Sequence, residues 1–462
     1  MATTLTEIPV RFDGGGAGAG ELTWGQMAIW RASQRNNRTM NFASSMPPPE
    51  GASSVAAVAA MLRFMVSRHP ALRTRLRFAD GPSGDRHPQQ VIAGSGEVPL
   101  YIADIGDGDD PAAAAADLCS RYAFTWFDYE NEFAVRMAVI RQSGTPVRLV
   151  VCYNHVMVDG GGVEAMYHDL RHLDRITGEA TAPAEGLNPL ELARRQDSPD
   201  GRRQSERAIQ HWRAQLGRLS AWRLEEPAPG HEARFAELMA YSPALELGMR
   251  AVAARTGASS TSVLLAAYSA AVTRVFGRDP SVAQVTVSNR FRPGLAGVVS
   301  PIAQHGICVV DAADVTFDEI VARAHEAMVR GCLHAYYDPV ACDGLLDETA
   351  ARRGQPLDVS WCINDLRGRA GPADGDVPTE AEVRRALPHT RLYWNRRMPV
   401  ADATLFLFVD SRPHPADLRA PAEGLPAVYM RVWADTQHFA LDQVEALVRE
   451  MEAVVAAATF DA

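Results

Sequence analysis

The feature that most restricts the fold is an apolar run that has to stop. "VRLVVCY", Val147 to Tyr153, has the β-branched and aromatic content of a strand; "NHVMVDGGG", Asn154 to Gly162, follows at once, and then the helically patterned "VEAMYHDLRHLDR". The glycines after Asp159 permit a tight turn, so the chain leaves a strand, turns and enters a helix. That geometry exposes a side chain at a strand end, and His155 stands there with acid–base chemistry to offer. Taken alone, the histidine has a plainer reading, in which it satisfies backbone groups of an ordinary turn.

Strand and helix periods are mixed along the rest of the chain. "SSVAAVAAMLRFMVSRHP" is a capped helix, "FAVRMAVIR" alternates as a strand, and the second half repeats the mixture with "STSVLLAAYSAAVTRVFG", "FDEIVARAHEAMVRGCLHAY", "ATLFLFVD" and "AVYMRVWAD". The class is α/β. At 462 residues and 47% hydrophobic composition the chain can bury a large core, and its length suits two or three domains. We expect a flexible lead over residues 1–21, with "GGGAGAG", an N-terminal lobe over 22–225 carrying the active-site motif, and a C-terminal lobe over 226–462 with crossing segments. The polar "RRQDSPDGRRQSER" reads as turn-rich, the lobe boundary falls near residues 222–232, and "RGRAGPADGDVPTEAEVRR" reads as a polar loop.

With 46 Lys and Arg against 56 Asp and Glu, net −10, and no basic run interleaved with aromatics, no nucleic-acid partner is expected. No apolar run approaches the ~18 residues of a spanning helix, and no signal-like start is present, so a soluble cytoplasmic protein without a membrane partner is expected. The six cysteines are far apart without a CxxC pair, which signals neither zinc nor a disulfide scaffold. Cys152 and His155 invite a nucleophilic dyad, but residues three apart on a strand point to opposite faces. His168 and His172 have the i,i+4 spacing of a zinc pair, yet no third ligand is identifiable, so no metal is expected.

Several separated motifs bear on His155. "LTWGQMAIW", with Gln26 and Trp30, "SRHPALRTRLRF", "FDYENEFAVRMAVI" and "NHVMVDGGG" resemble, in order, motifs of the condensation domains of nonribosomal peptide synthetases, members of the chloramphenicol acetyltransferase-like superfamily. "VTVSNRFRP", "SPIAQHG", "LHAYYDP" and "VSWCIND" continue the resemblance, which runs from about Leu22 to the C-terminus. The signature His-His-x-x-x-Asp-Gly has Asn154 in place of its first histidine, with an amide that retains hydrogen-bonding capacity.

The resemblance implies two pseudo-symmetric lobes in a V shape with the active site in a tunnel between them, and His155 as the essential histidine. It implies that Asp159 is mainly structural, paired with an arginine; Arg68, Arg73 and Arg290 are the candidates, and the sequence does not choose among them. Gly160, with Gly161 and Gly162, offers N–H groups to a developing oxyanion. The family's usual aromatic and Ser are absent at Gly161 and Gly162, which is expected to widen the site there. Asn154, Gly161, Gly162, His305 and Asn364 are substrate-lining candidates.

The enzyme would bind no cofactor; its donor would ride on the phosphopantetheine of a separate carrier protein. A thioester is already activated, so the site must supply position and proton management, and an imidazole of pKa near ~6.5 is suited to the second task. Whether His155 deprotonates the nucleophile or chiefly positions it stays open at this level. No carrier, adenylation or thioesterase motif is found, so the expectation is a free-standing enzyme acting in trans on an amine or alcohol acceptor. Arg194, Arg195, Arg202, Arg203 and Arg207 are a candidate docking surface for an acidic carrier. The alternatives are an acyl-CoA-dependent acyltransferase of the same superfamily and a noncatalytic docking module.

Overall fold

A computed structural model of the chain describes residues 5–80, 86–219, 234–355, 357–367, 376–413 and 426–460. In chain order its first elements are β1 (Leu5–Asp13), β2 (Gly18–Glu21), α1 (Trp24–Arg35), β3 (Phe42–Met46), α2 (Val55–Arg68), β4 (Thr74–Asp80), β5 (Arg86–Ile92) and β6 (Ser95–Ile105). Then come α3 (Pro111–Phe124), β7 (Val135–Gln142), β8 (Thr145–Tyr153), α4 (Gly160–Asp169), α5 (Pro189–Asp197) and α6 (Pro199–Arg218). The rest are β9 (Phe235–Ser242), α7 (Pro243–Thr256), α8 (Ser260–Phe276), β10 (Ser281–Val287), β11 (Gln304–Val310), α9 (Phe317–Leu333) and α10 (Pro339–Arg353). They are followed by β12 (Trp361–Asp365), α11 (Glu380–Ala386), β13 (Arg391–Met398), β14 (Leu405–Asp410), β15 (Val428–Asp435) and α12 (Leu441–Phe460).

The chain forms two units: Met1–Arg203 with Ser288–Ala303 and Asp338–Val340, and Gln204–Val287 with Gln304–Tyr337 and Ala341–Ala462. In the first, a five-stranded sheet has the order β1-β6-β7-β8-β3, with β6 and β7 parallel and the other pairs antiparallel; a three-stranded sheet has the order β2-β5-β4. β8 is an inner strand, which explains its apolar run from Leu149 to Tyr153, because both of its faces must be covered. Leu149, Val151 and Tyr153 pack with Val58, Leu62 and Met65 of α2. Val150 and Cys152 face Ala115, Leu118 and Tyr122 of α3 instead. The second unit is built on a seven-stranded sheet, β11-β10-β12-β14-β15-β9-β13, whose Val285, Ile363, Leu407 and Val432 join residues of α7, α8, α9 and α12 in one core.

Three expectations need correction. Residues 5–21 of the expected lead over 1–21 are not flexible: β1 pairs with β6 in register from Leu5↔Ala103 to Asp13↔Ser95, and β2 pairs with β5. Val10 and Phe12 are buried there, so the strand supplies core as well as edge. The supposedly turn-rich stretch around residues 194–207 is helical, α5 giving way to α6 at Ser198; Ser205, Ala208, Trp212 and Leu216 form the buried stripe of α6. The division of the chain falls at Arg203/Gln204 and is not linear, since residues 288–303, between β10 and β11, belong to the first unit. The boundary expected near 222–232 lies outside the described residues, as do residues 368–375 of the long polar loop. That loop's remainder includes α11, begun by a capping box between Thr379 and Glu382. No described helix is long and apolar enough to cross a membrane.

Candidate active site

β8 ends at Tyr153 because Asn154 folds its own turn. The Asn154 N–H donates to the Ala134 carbonyl (3.0 Å), its side-chain Oδ1 accepts from the Val156 N–H (3.0 Å), and its carbonyl accepts from Met157 (3.0 Å) and Val158 (3.2 Å). The residue is buried. An Asn suits this position because its short amide closes a local turn; the same geometry makes Asn154 a support for the loop.

His155 is half-buried, with Phe42 of β3 edge-on at 5.2 Å and an interplanar angle of 86°. Its Nδ1 lies 2.9 Å from the Val158 carbonyl. A carbonyl only accepts, so Nδ1 carries the proton in the neutral ring and Nε2 keeps its lone pair. Among the described residues Nε2 has no protein partner, which leaves a base whose tautomer and aim are fixed by its own turn.

Asp159 is the N-cap of α4 and is buried. Oδ1 accepts from Gly162 N–H (2.7 Å) and Arg290 Nη2 (2.7 Å); Oδ2 accepts from Arg290 Nη1 (3.1 Å) and from the N–H groups of Ile302 (3.1 Å) and Ala303 (3.2 Å). One carboxylate thus ties the start of α4 to residues 290–303 with a bidentate guanidinium and three backbone donors. Arg290 Nη2 also donates to the Val298 carbonyl at 3.1 Å.

Of the three candidate arginines, Arg290 is the one that meets Asp159. Arg68 forms a bidentate pair with Asp169, close to His69, and its guanidinium also bonds the carbonyls of Ala182 and Pro183. Burial would raise the Asp169 pKa, but hydrogen bonds from His69 and Arg68 and their charges overcome it and hold the carboxyl below the usual range. A depressed carboxyl stabilises the fold above its unfolded pKa of ~3.9, and the stabilisation is lost as pH falls through the lower folded value. Asp169→Asn is therefore expected to destabilise the protein clearly at pH 7 and progressively less in acid, as read by urea unfolding at pH 7 and below pH 4. Arg73, also buried, bonds the carbonyls of Ala93 and Gly15.

The expected widening at Gly161 and Gly162 is not found: the same guanidinium lies against the first, and Asp159 and Val158 against the second. A Cβ on Gly161 would stand 2.6 Å from Arg290 Nη1 and 2.7 Å from its Cζ and Nε; one on Gly162 would be 3.1 Å from Asp159 Oδ1 and 3.2 Å from Val158 Cγ1. The space left by the missing side chain is filled at Gly161 by Arg290 and at Gly162 by Asp159 and Val158. Alanine is the better helix former by about 1 kcal/mol, yet Gly161→Ala is expected to lower stability by ~1–3 kcal/mol through overpacking; a melting temperature above wild type would refute the close approach.

The rival chemistries find little support. Cys152 points to the α3 face, 3.6 Å from the Tyr122 carbonyl, and burial pushes its thiol up to about 12. Nε2 of both His168 and His172 lies against the Arg171 guanidinium, an arrangement that disfavours a cation between the rings. His305 and Asn364 belong to the second unit: His305 Nδ1 is 3.1 Å from Gln284 Oε1, and burial lowers its imidazolium pKa to about 4, while Asn364 sits on β12 beside Phe408. In the docking cluster expected from the sequence, Arg202 pairs with Asp197 (3.4 Å) and Arg203 with Asp200, which engages two of its five guanidinium charges. Sequence reasoning missed the Val158 carbonyl and Phe42. The first is a turn contact three residues from His155, and the second is fixed by the β3–β8 register, Phe42↔Tyr153, for which no local signal exists.

The family profile described as Condensation domain matches residues 20–355. A nonribosomal peptide synthetase of Curvularia clavata, kk1B, is 26% identical over 289 residues; the match covers 60% of this chain and 2% of that protein, so the chain spans a small part of its relative. Among solved structures, the condensation domain from the monacolin K polyketide synthase MokA superposes with a TM-score of 0.70 at 15% identity, covering 96% of this chain and 98% of that one. The X-domain from teicoplanin biosynthesis, in complex with OxyB, gives 0.67 at 18% identity, covering 96% and 93%.

Proposed function

Because the chain belongs to the condensation-domain family, whose enzymes form amide or ester bonds, we propose that it is an acyltransferase acting on a carrier-bound donor. It takes an acyl group from a carrier-protein phosphopantetheine thioester and joins it to an amine or hydroxyl of a second substrate. The observation that carries this reading is the His155 ring, held as the Nδ1–H tautomer by Val158 with Nε2 left open.

The acceptor nitrogen or oxygen attacks the thioester carbonyl carbon and forms the new C–N or C–O bond. Its proton passes to His155 Nε2 as the nucleophile gains acidity, the C–S bond breaks, and the proton leaves with the sulfur as the phosphopantetheine thiol. Asp159 takes no part in proton transfer; it holds the α4 N-terminus and hence the turn between Asn154 and Asp159. The Gly162 N–H is already bonded to Asp159, so the N–H groups of Gly160 and Gly161, the first residues of α4, are the donors available to a developing oxyanion. Arg194 and Arg195 on α5 remain, within the first unit, charges placed to attract an acidic carrier.

The likeness to an X-domain seen with OxyB favours a recruiting module as the second reading. Intact-mass assays with one acyl group presented on a phosphopantetheinyl carrier protein and on coenzyme A, against a panel of amines and alcohols, separate the readings. Transfer from the carrier supports the proposal, transfer from coenzyme A alone replaces the donor, and carrier binding with no transfer to any acceptor replaces it with the recruiting module.

A further inference from the structure

Within the second unit, β11 is an edge strand of the seven-stranded sheet, and its outward carbonyls are taken by side chains. Tyr337 Oη donates to the His305 carbonyl, Arg218 Nη1 to that of Val309 and Arg323 Nη1 to that of Asp311, each at 3.0 Å, and the His211 imidazole bonds the backbone of Ile307. These positions alternate, as outward-facing residues of a strand must. The intervening Val310 carbonyl accepts from Ser281 on β10. With its acceptors occupied, the edge cannot pair with another strand, which needs donors and acceptors in turn. What it still turns outward are the N–H groups of Ile307 and Val309.

Those donors border a cavity of about 480 Å³ between α6 and α9, lined also by His211, Arg218, Arg323 and Arg330 with Asp311 and Glu326. Arg218 pairs with Asp311 (2.6 Å) and Arg330 with Glu326 (2.6 Å), but both pairs are largely solvent-exposed and such contacts are readily exchanged. Arg323 makes no salt bridge within 4 Å among the described residues, although its charge acts on Glu319 one turn earlier on α9. Burial, and then the His334 ring stacked at 4.4 Å, push the His211 pKa down, so that ring stays neutral beside the cavity near pH 7.

We propose that this cavity binds the phosphate group of a small phosphate ester. Three guanidinium groups and two strand N–H groups suit a tetrahedral dianion with several acceptor oxygens better than a planar carboxylate, and the volume leaves room for an organic body beside the phosphate. The site is independent of the reading of His155, which lies in the other unit.

Inorganic pyrophosphate, with citrate as the carboxylate control, tests the assignment by calorimetric titration of the full chain at constant ionic strength, using wild type, Arg323→Gln and Arg330→Gln. Saturable pyrophosphate binding is expected, weakened about tenfold in each variant, or ~1.4 kcal/mol, with unliganded melting temperatures unchanged because both side chains are exposed. No saturable binding, equal affinity in both variants, or tighter binding of citrate than of pyrophosphate would overturn it. Should one variant misfold, the other gives the comparison.

Discussion

Asp159→Ala is expected to lower stability by ~3–5 kcal/mol, because removing one partner of a buried ion pair leaves the other charge uncompensated. The Arg290 guanidinium would keep its bond to the Val298 carbonyl, but the N–H groups of Gly162, Ile302 and Ala303 would lose their acceptor together. For a unit of this size the loss corresponds to a fall in melting temperature of roughly 6–20 °C. Asp159→Asn retains an oxygen for one set of donors and should fall between the two. The check is thermal and urea unfolding of all three proteins; a change under 1 kcal/mol for the alanine variant would show that the staple does not hold the site.

His155→Ala should do the opposite: little to stability and much to rate. The ring is half-buried and contributes one hydrogen bond, to Val158, whereas a positioned base contributes ~10²–10⁴-fold. Acyl transfer followed by intact mass should therefore slow by that range in a variant whose melting temperature stays within about 2 °C, since a half-buried substitution perturbs stability modestly. A loss below tenfold in the folded variant would assign His155 to holding the acceptor, a task whose larger share, ~7–11 kcal/mol, can come from alignment alone. The two variants thus test separately whether Asp159 shapes the loop and whether His155 meets the proton.

The sequence disclosed what is local. The capped start of α2, the strand character of β8 and the turn into α4 are all written in stretches of ten to twenty residues. It hid what depends on distant pairing. β1 was concealed by the glycines that follow it, because its justification is a partner some ninety residues on, and a burial stripe every three or four residues in α6 was masked by the charges between. The same holds in the site. His155 and Asp159 stand out locally, but the choice of Arg290 over Arg68 and Arg73 needs the path of residues 288–303, and Gly161, read as empty space, proves to be the seat of that arginine. Side chains removed from a motif do not create room when another segment has been brought in to use it.

The detour between β10 and β11 also limits how such a gene can be cut and recombined. Residues 288–303 are encoded amid the second unit but pack in the first, and they carry Arg290, Ile302 and Ala303. A fragment ending near Arg203 would contain His155 and Asp159 without the groups that fasten them. Chimeras exchanging the N-terminal part at that linear junction would pair the Asp159 of one parent with the fastening of the other, so the heritable module is a discontinuous one, and compatible crossovers must carry both pieces together.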